Sequence, residues 1–274
     1  MIGLTIERLN GTKMTNKDIG FTVDKIEVSM PTMTHNFEQI EGRHGNIDFG
    51  STLDPRDVFV RGYFQSFNKE SFPLYRDRIA KFFTSTEPFY LIDSRQPYKR
   101  WLVKLAGDWT ADREPFHNVG VVEANFITIG QPYATSVFTS LEPRRWAENA
   151  WWWGAGISWS DENFVYRTNN FSVPNWGDVA VNPRFMDLII RFSGQSENLR
   201  IENFRTGEVW QYFGTTDESD ILVISGIRSL KNNFGIVRDT NRRLITLAPG
   251  DNEFQVSGNI GDFTISFEFR FPYL

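Results

Sequence analysis

The sequence has no cysteine among its 274 residues and only three histidines. Without cysteine the chain has no disulfide, no thiol nucleophile and no thiolate metal site. It also lacks an apolar run long enough to cross a membrane, and its mean hydropathy is −0.38. The first residues, MIGLTIERLNG, have no basic region, apolar segment or cleavage site, so we expect no signal peptide.

Charge and motifs point away from nucleic-acid binding and from catalysis. The net charge is −5, whereas nucleic-acid binders usually carry a basic field. No nucleophile elbow, phosphate-binding loop, dinucleotide fingerprint or HExxH motif is present. His35 and His44 stand near acidic residues, but such spacing arises easily by chance. We therefore expect no enzyme activity, no metal site and no cofactor.

One amphipathic helix stands out at about residues 72–84. Ser71 is expected to cap its first turn through the side-chain hydroxyl, and Pro73 falls where a missing N–H costs little. Pro88 prevents the helix from continuing. Aromatic and aliphatic residues recur at helical spacing on one face, namely Phe72, Tyr75, Ile79, Phe82 and Phe83. This face must be buried, and the surrounding sequence offers only β-structure to cover it.

The rest of the chain has the pattern of short strands separated by turns. Strands are expected near residues 2–6, 21–28, 58–64, 89–92, 101–105 and 121–129, and then near 185–192, 199–203, 208–212, 221–224, 244–247 and 253–256. Residues 249–252 read as a turn. The last strand alternates most clearly, with Phe263, Ile265, Phe267, Phe269 and Phe271 on one face. A boundary near residues 131–136 predicts two mainly β domains, residues 1–135 and 136–274.

Residues 30–56 break this pattern. The segment shows little periodicity, and a structureless stretch of this length in a compact domain is uncommon. It is either a solvated surface loop or an extended arm that pairs with a neighbouring subunit. Four large apolar residues, Phe37, Ile40, Ile47 and Phe49, favour the arm, and Arg43 lies among them.

Tryptophans cluster after the boundary, at positions 146, 151, 152, 153, 159 and 176. Trp151, Trp152 and Trp153 fit a platform that stacks on sugar rings, but tryptophan is also common in packed interfaces. Packing is the favoured interpretation. Asp161 and Glu162 lie nearby, so a glycan-cleaving enzyme remains a third alternative, after a structural protein and a carbohydrate-binding module.

Several phrases of the sequence resemble distal tail proteins of long non-contractile-tailed phages. They are EPFYLIDSRQPYKRWLVKL (residues 87–105), GNIDFGSTLDPRDVFVRGYF (45–64), GQPYATS (130–136), NPRFMDLIIRFSG (182–194), NLRIENFRTGEVW (198–210) and LAPGDNEF (247–254). They occur in the family's order and cover most of the chain. The tryptophan-rich stretch has no counterpart in the family pattern.

The resemblance implies a mainly β fold with one helix. It implies an N-terminal β-sandwich plus helix with an extended arm, followed by a C-terminal galectin-like or carbohydrate-module-like β-sandwich. It also implies a structural virion protein that forms a hexameric ring in the phage tail tip. The expected partners are other copies of the chain, the tail tube protein, a tail-tip or tail-associated protein and a receptor-binding protein. The alternative function is binding of cell-wall glycans. The chain would be made in the host cytoplasm, and no nucleic-acid or membrane binding is expected.

Overall fold

The computed structural model describes residues 2–113, 118–143 and 164–274. Contacts divide the chain into two compact units, the first ending at Ala134 but including Leu274, and the second covering residues 135–273. The described residues are mainly β-strand and contain one α-helix, so the predicted fold class is confirmed. None of the helical structure described is long and apolar enough to span a bilayer.

In the first unit, the part of the chain that the structure describes forms ten strands and the helix. The strands are β1 (Leu4–Arg8), β2 (Lys13–Thr15), β3 (Phe21–Val28), β4 (Met33–Glu38), β5 (Ile47–Leu53), β6 (Asp57–Gln65), β7 (Phe89–Asp93), β8 (Lys99–Leu105), β9 (Thr110–Arg113) and β10 (Val119–Thr128), and the helix is α1 (Phe72–Phe83). Strand β11 (Ala134–Ser136) follows at the boundary between the units.

Most of these strands form one curled antiparallel sheet in the order β2-β1-β7-β8-β10-β6-β3. An isolated bridge between Ile2 and Val23 in β3 links the two ends of the sheet. Alternate residues point inward, and in β6 these are Val58, Val60, Gly62 and Phe64. Gly62 has no substitute because an added Cβ would lie 2.3 Å from the Thr22 carbonyl oxygen. The curled sheet thus encloses a single core.

Helix α1 covers this core with the face that its sequence predicts. Ile79, Phe82 and Phe83 are completely buried, and the ring of Phe83 meets that of Phe126 at a centroid distance of 5.5 Å. The predicted cap at Ser71 is wrong, because Ser71 already has helical backbone angles and its hydroxyl donates to the Asn68 carbonyl instead.

The other end of α1 is satisfied by a residue from β1. The Arg8 guanidinium donates to the carbonyl oxygens of Lys81 and Phe82 at 3.3 and 2.7 Å. The last carbonyls of a helix have no partner within the helix and carry partial negative charge, so a cation there is favourable. This contact joins residues 74 positions apart, and local sequence patterns gave no sign of it.

The described residues of the second unit form ten strands if the short ones are included. They are β12 (Val165–Tyr166), β13 (Asn170–Asn175), β14 (Leu188–Asn203), β15 (Glu208–Gln211), β16 (Thr215–Thr216), β17 (Ile221–Ser225), β18 (Arg228–Lys231), β19 (Phe234–Gly235), β20 (Gly250–Phe269) and β21 (Pro272–Tyr273). A 3-10 turn lies at Val237–Asp239.

Two long strands, β14 and β20, form the frame of this unit. They pair along most of their length, with register shifts after Gly194 and Ser196. One half of the pair carries β12 and β17, and the other carries β13, β15 and β16. Phe254 and Phe267 lie 13 positions apart in β20, about 43 Å in a straight strand. Their ring centroids are nevertheless only 4.9 Å apart, so the strand bends and its two halves face each other across an aromatic core.

The long strands correct several predicted boundaries. Residues 199–203 end β14 rather than forming a separate strand, and Phe185 lies before it in an exposed turn. Residues 249–252 do not form the predicted turn, because β20 begins at Gly250 and runs through both predicted strands. The predicted strand at 244–247 is wrong, since only Leu247 makes a bridge, to Val181. The strands bend at glycines, among them Gly194 and Gly258. In the sequence these glycines look like turn residues, although the strand continues through them.

Candidate interaction surface

The segment at residues 30–56 is a hairpin, not an irregular stretch. Strands β4 and β5 pair with each other and form a two-stranded sheet. Every residue of β4 is exposed, and β5 is exposed except for its half-buried end residues. Alternation of apolar and polar residues arises when one face of a strand is buried. Here neither face is buried, which explains why the sequence shows no strand periodicity.

A bulge sets the register of the hairpin. His35 lies opposite Ser51, and Phe37 lies opposite Asp48, so β5 contains one extra residue between these pairs. Gly50 supplies it with φ of +98°, a value that favours glycine. Residues 39–46 then reverse the chain, with positive φ at Gly42 and Gly45. These glycines are needed for the turn and the bulge.

Apolar side chains occupy both faces of the hairpin. Phe37 lies directly across from Asp48, so these two side chains share one face. Phe49 follows Asp48 in the strand and points to the opposite face. The exposed fractions are 57% for Phe37 and 63% for Phe49. No single surface of the same chain can cover both aromatic rings.

The five residues proposed from the sequence as arm contacts all lie in this hairpin. Phe37 and Phe49 are in its strands, Ile40 and Arg43 are exposed in its turn, and Ile47 is half-buried at the start of β5. Their role in a subunit interface remains a prediction. The sequence reading missed the exposed methionines Met30 and Met33. The sequence feature that could have identified these two methionines is the presence of large apolar side chains in an otherwise polar segment.

Side-chain contacts hold the hairpin in shape without a hydrophobic core. The His35 Nδ1 atom lies 2.6 Å from the Ser51 hydroxyl oxygen, and the His35 ring stacks on Phe37 with a centroid distance of 5.6 Å. At the base, the Thr34 hydroxyl donates to Asp54 at 2.8 Å. His35 is thus engaged in cross-strand contacts. The hairpin is therefore a defined element that presents its apolar groups to solvent.

The hairpin is also acidic. Between residues 33 and 53 it carries Glu38, Glu41 and Asp48 against one cation, Arg43, which gives a formal charge of −2 with histidine neutral. A partner surface that binds the hairpin would therefore bind it more tightly if that surface carried positive charge.

The tryptophan hypothesis falls mostly outside the described residues. Positions 146, 151, 152, 153 and 159 lie there, as do Asp161 and Glu162, so the possible glycan-stacking role of Trp151, Trp152 and Trp153 stays a prediction. Trp176 is described, and its ring packs against Phe271 at a centroid distance of 4.9 Å. This one tryptophan belongs to the packing of the second unit.

A second exposed apolar site lies on the second unit. Phe185 and Ile227 are about two-thirds exposed, and they border an open surface cavity of about 380 Å³. Arg184 and Arg228 lie beside them. This site was not predicted from the sequence, because its members come from two separate turns.

Comparison with known proteins finds a family similarity in the first unit. Residues 9–128 match the model of the phage tail protein RIFT-related domain. That range includes the hairpin and α1. Residues 9–128 of the first unit are thus similar to the phage tail protein RIFT-related domain.

The fold of the chain matches that of a distal tail protein. The crystal structure of the SPP1 Dit (gp 19.1) protein aligns over 98% of this chain and 99% of that chain, with a TM-score of 0.67 and 14% identity. That protein is described as a paradigm of the hub adsorption apparatus in phages that infect Gram-positive bacteria. The resemblance to distal tail proteins that the sequence shows is thus confirmed.

Two structures of the phage p2 baseplate in its activated conformation are more distant. One contains strontium and aligns over 98% of each chain at a TM-score of 0.47 and 10% identity. The other contains calcium and aligns over 98% of each chain at a TM-score of 0.46 and 10% identity. A search of curated protein sequences gives no match.

Proposed function

We propose that this chain is a distal tail hub protein. Copies of it form a ring of six that joins the tail tube to the tail tip or baseplate and anchors receptor-binding proteins. The tail-protein domain of the first unit and the fold shared with the SPP1 Dit protein support this function. The chain acts as a structural component of the virion, without a cofactor and without catalysis.

The exposed hairpin carries the proposal. A lone hairpin with apolar side chains on both faces is an aggregation hazard in a free subunit, because its edges and rings are uncovered. In a cyclic ring each subunit presents one surface and receives a different one. The hairpin is a candidate for the surface that each subunit presents to the next one. Phe37 and Phe49 face opposite directions and need cover from outside the subunit.

Removal of the hairpin tests the proposal. Asp54 donates its N–H to the Thr32 carbonyl oxygen at 3.0 Å, so the two ends of the hairpin already meet. Residues 33–53 can therefore be replaced by a short Gly/Ser linker that leaves the sheet of the first unit in place. Wild type should have a mass in light scattering of six times the 31.8 kDa chain, alone at high concentration or with its tail-tip partner. The shortened chain should remain a monomer.

Phe234→Ser provides the control, because Phe234 is a highly exposed phenylalanine on the second unit. This variant should assemble like wild type, and both variants should keep the circular dichroism spectrum of folded β-structure. If the shortened chain assembles as wild type does, the hairpin does not build the ring. If wild type is monomeric under both conditions, the hub function is wrong.

A further inference from the structure

An open apolar cavity lies at the base of the hairpin, in the first unit. Its volume is about 420 Å³, and its apolar lining consists of Leu4, Ile26, Val28, Val58, Leu91 and Trp101. Val28 ends β3 and Val58 is near the start of β6, and these are the strands between which the hairpin leaves the sheet. The same subunit therefore has an unfilled apolar cavity and an uncovered apolar hairpin.

The rim of this cavity is polar. Arg95 pairs with Asp93 at 2.6 Å and also donates to the Ile26 carbonyl oxygen at 2.8 Å. Together these residues neutralise each other at one side of the opening. The lining residues carry no other charge, so a charge that determines which partner the cavity attracts must come from a residue beside the cavity.

Arg56 supplies that charge. Its guanidinium lies over the Trp101 ring at 4.7 Å, and its Nε donates to the Ser29 carbonyl oxygen at 2.7 Å. Arg56 is only 6% exposed, and burial lowers the pKa of its guanidinium. Across the described residues no carboxylate lies within ion-pair distance of it, and its Nη1 atom has no hydrogen-bond partner. A buried cation in this state gains from a nearby carboxylate.

We propose that Phe37 of a second copy of this chain enters the cavity, with Asp48 of that copy placed near Arg56. Phe37 and Asp48 are direct cross-strand neighbours on one face of the hairpin, so one approach delivers both the ring and the carboxylate. The charge of −2 on the hairpin complements the positive charge of Arg56. This assignment rests on the proposed ring and specifies the contact that builds it.

The occupant is a second copy rather than the same chain. Phe37 lies four residues beyond Met33 at the base of the hairpin, about 13 Å along an extended strand. Phe37 is not among the residues that line the cavity of its own subunit, and its ring is 57% exposed. A cyclic arrangement in which each hairpin fills the cavity of the next subunit satisfies every copy in the same way.

The absence of cysteine makes a crosslinking test direct, because engineered thiols have no competitors. A Phe37→Cys chain is mixed with a larger, tagged Val28→Cys chain and treated with a short bismaleimide. Val28 is half-buried at the end of β3, so its replacement disturbs the core little. The expected product is a heterodimer of one tagged and one untagged chain. Phe49→Cys replaces Phe37→Cys in the matched control, and this mixture should give no heterodimer.

Filling the cavity gives an independent measurement. Val28→Trp should abolish ring assembly in light scattering, and Phe234→Ser on the second unit should leave it intact. Circular dichroism of both variants should match wild type. If Val28→Trp loses its fold, the crosslinking result alone decides.

The outcomes separate this contact from the hub function. If wild type forms rings but the Phe37 and Phe49 mixtures crosslink equally, or neither does, the ring stands and the Phe37 contact is wrong. Crosslinking within one chain of a Phe37→Cys/Val28→Cys double variant, without heterodimers in the mixture, also overturns it. If wild type forms no ring, both proposals fail together.

Discussion

Phe267 offers a direct test of the bent strand β20. Its side chain is completely buried, and its ring lies 4.9 Å from that of Phe254 and 5.8 Å from that of Phe171, measured between centroids. Phe267→Ala removes the ring from between the two facing halves of the sheet. Replacement of a buried phenylalanine by alanine costs about 3–5 kcal/mol in the free energy of unfolding, from lost transfer energy and the cavity left behind.

The next residue provides the matched control. Glu268 points to the opposite face, where it pairs with Arg191 at 2.6 Å, and both side chains are partly exposed. Such an ion pair contributes roughly 0–1 kcal/mol. Glu268→Ala should therefore cost far less than Phe267→Ala, although the two residues are adjacent.

The measurement is urea-dependent amide hydrogen exchange of the full chain, read from peptides of β14 and β20. These peptides report the unfolding free energy of the second unit itself, which matters because a chain with two units need not unfold in one step. Phe267→Ala should lower that free energy by about 3–5 kcal/mol relative to wild type. Equal losses for the two variants would refute the assigned faces of β20.

Two further predictions concern the helix and a depressed pKa. Ile79 is completely buried, so Ile79→Asp places an unpaired carboxylate in the core at a cost of several kcal/mol. Arg78 is exposed, so the Arg78→Ala variant should melt close to wild type in calorimetry. Equal melting temperatures of the two variants would show that the buried face of the helix is misassigned. In the second unit, hydrogen bonds from Lys231, the Asp217 backbone and Asn232 lower the pKa of Asp220 from 3.8 to about 2. Ionised Asp220 therefore stabilises the fold above the unfolded value of 3.8, and this contribution is lost as the pH falls from there towards 2. Melting temperatures of wild type and Asp220→Asn should converge over this acidic range, and a constant difference would contradict the assignment.

Local patterns were enough to predict which faces are buried. The alternation from Phe263 to Phe271 corresponds to a buried row, and the helical spacing of Ile79, Phe82 and Phe83 corresponds to the buried face of α1. Strand β3 occupies the expected residues 21–28. Such patterns are readable because the period of a strand or helix is a property of neighbouring residues.

Local patterns failed at the hairpin and at the bends. Neither face of β4 and β5 packs on a core, so no period marked them as strands. Gly250 and Gly258 have the pattern of turn residues, yet β20 passes through both. At these positions the partner strand, which is distant in sequence, determines the conformation.

By itself the sequence determined that the chain is mainly β with one helix, which faces of that helix and of the last strand are buried, and that it resembles distal tail proteins. Only the tertiary structure decided that β20 crosses both layers of its unit, and that Arg56 lies over Trp101 beside an apolar cavity at the base of the hairpin. The physical reason is the separation in sequence between the residues that determine each feature. Burial periodicity is set by residues a few positions apart, whereas a bend, a cavity and an unpaired buried cation arise from strands brought together across the whole unit.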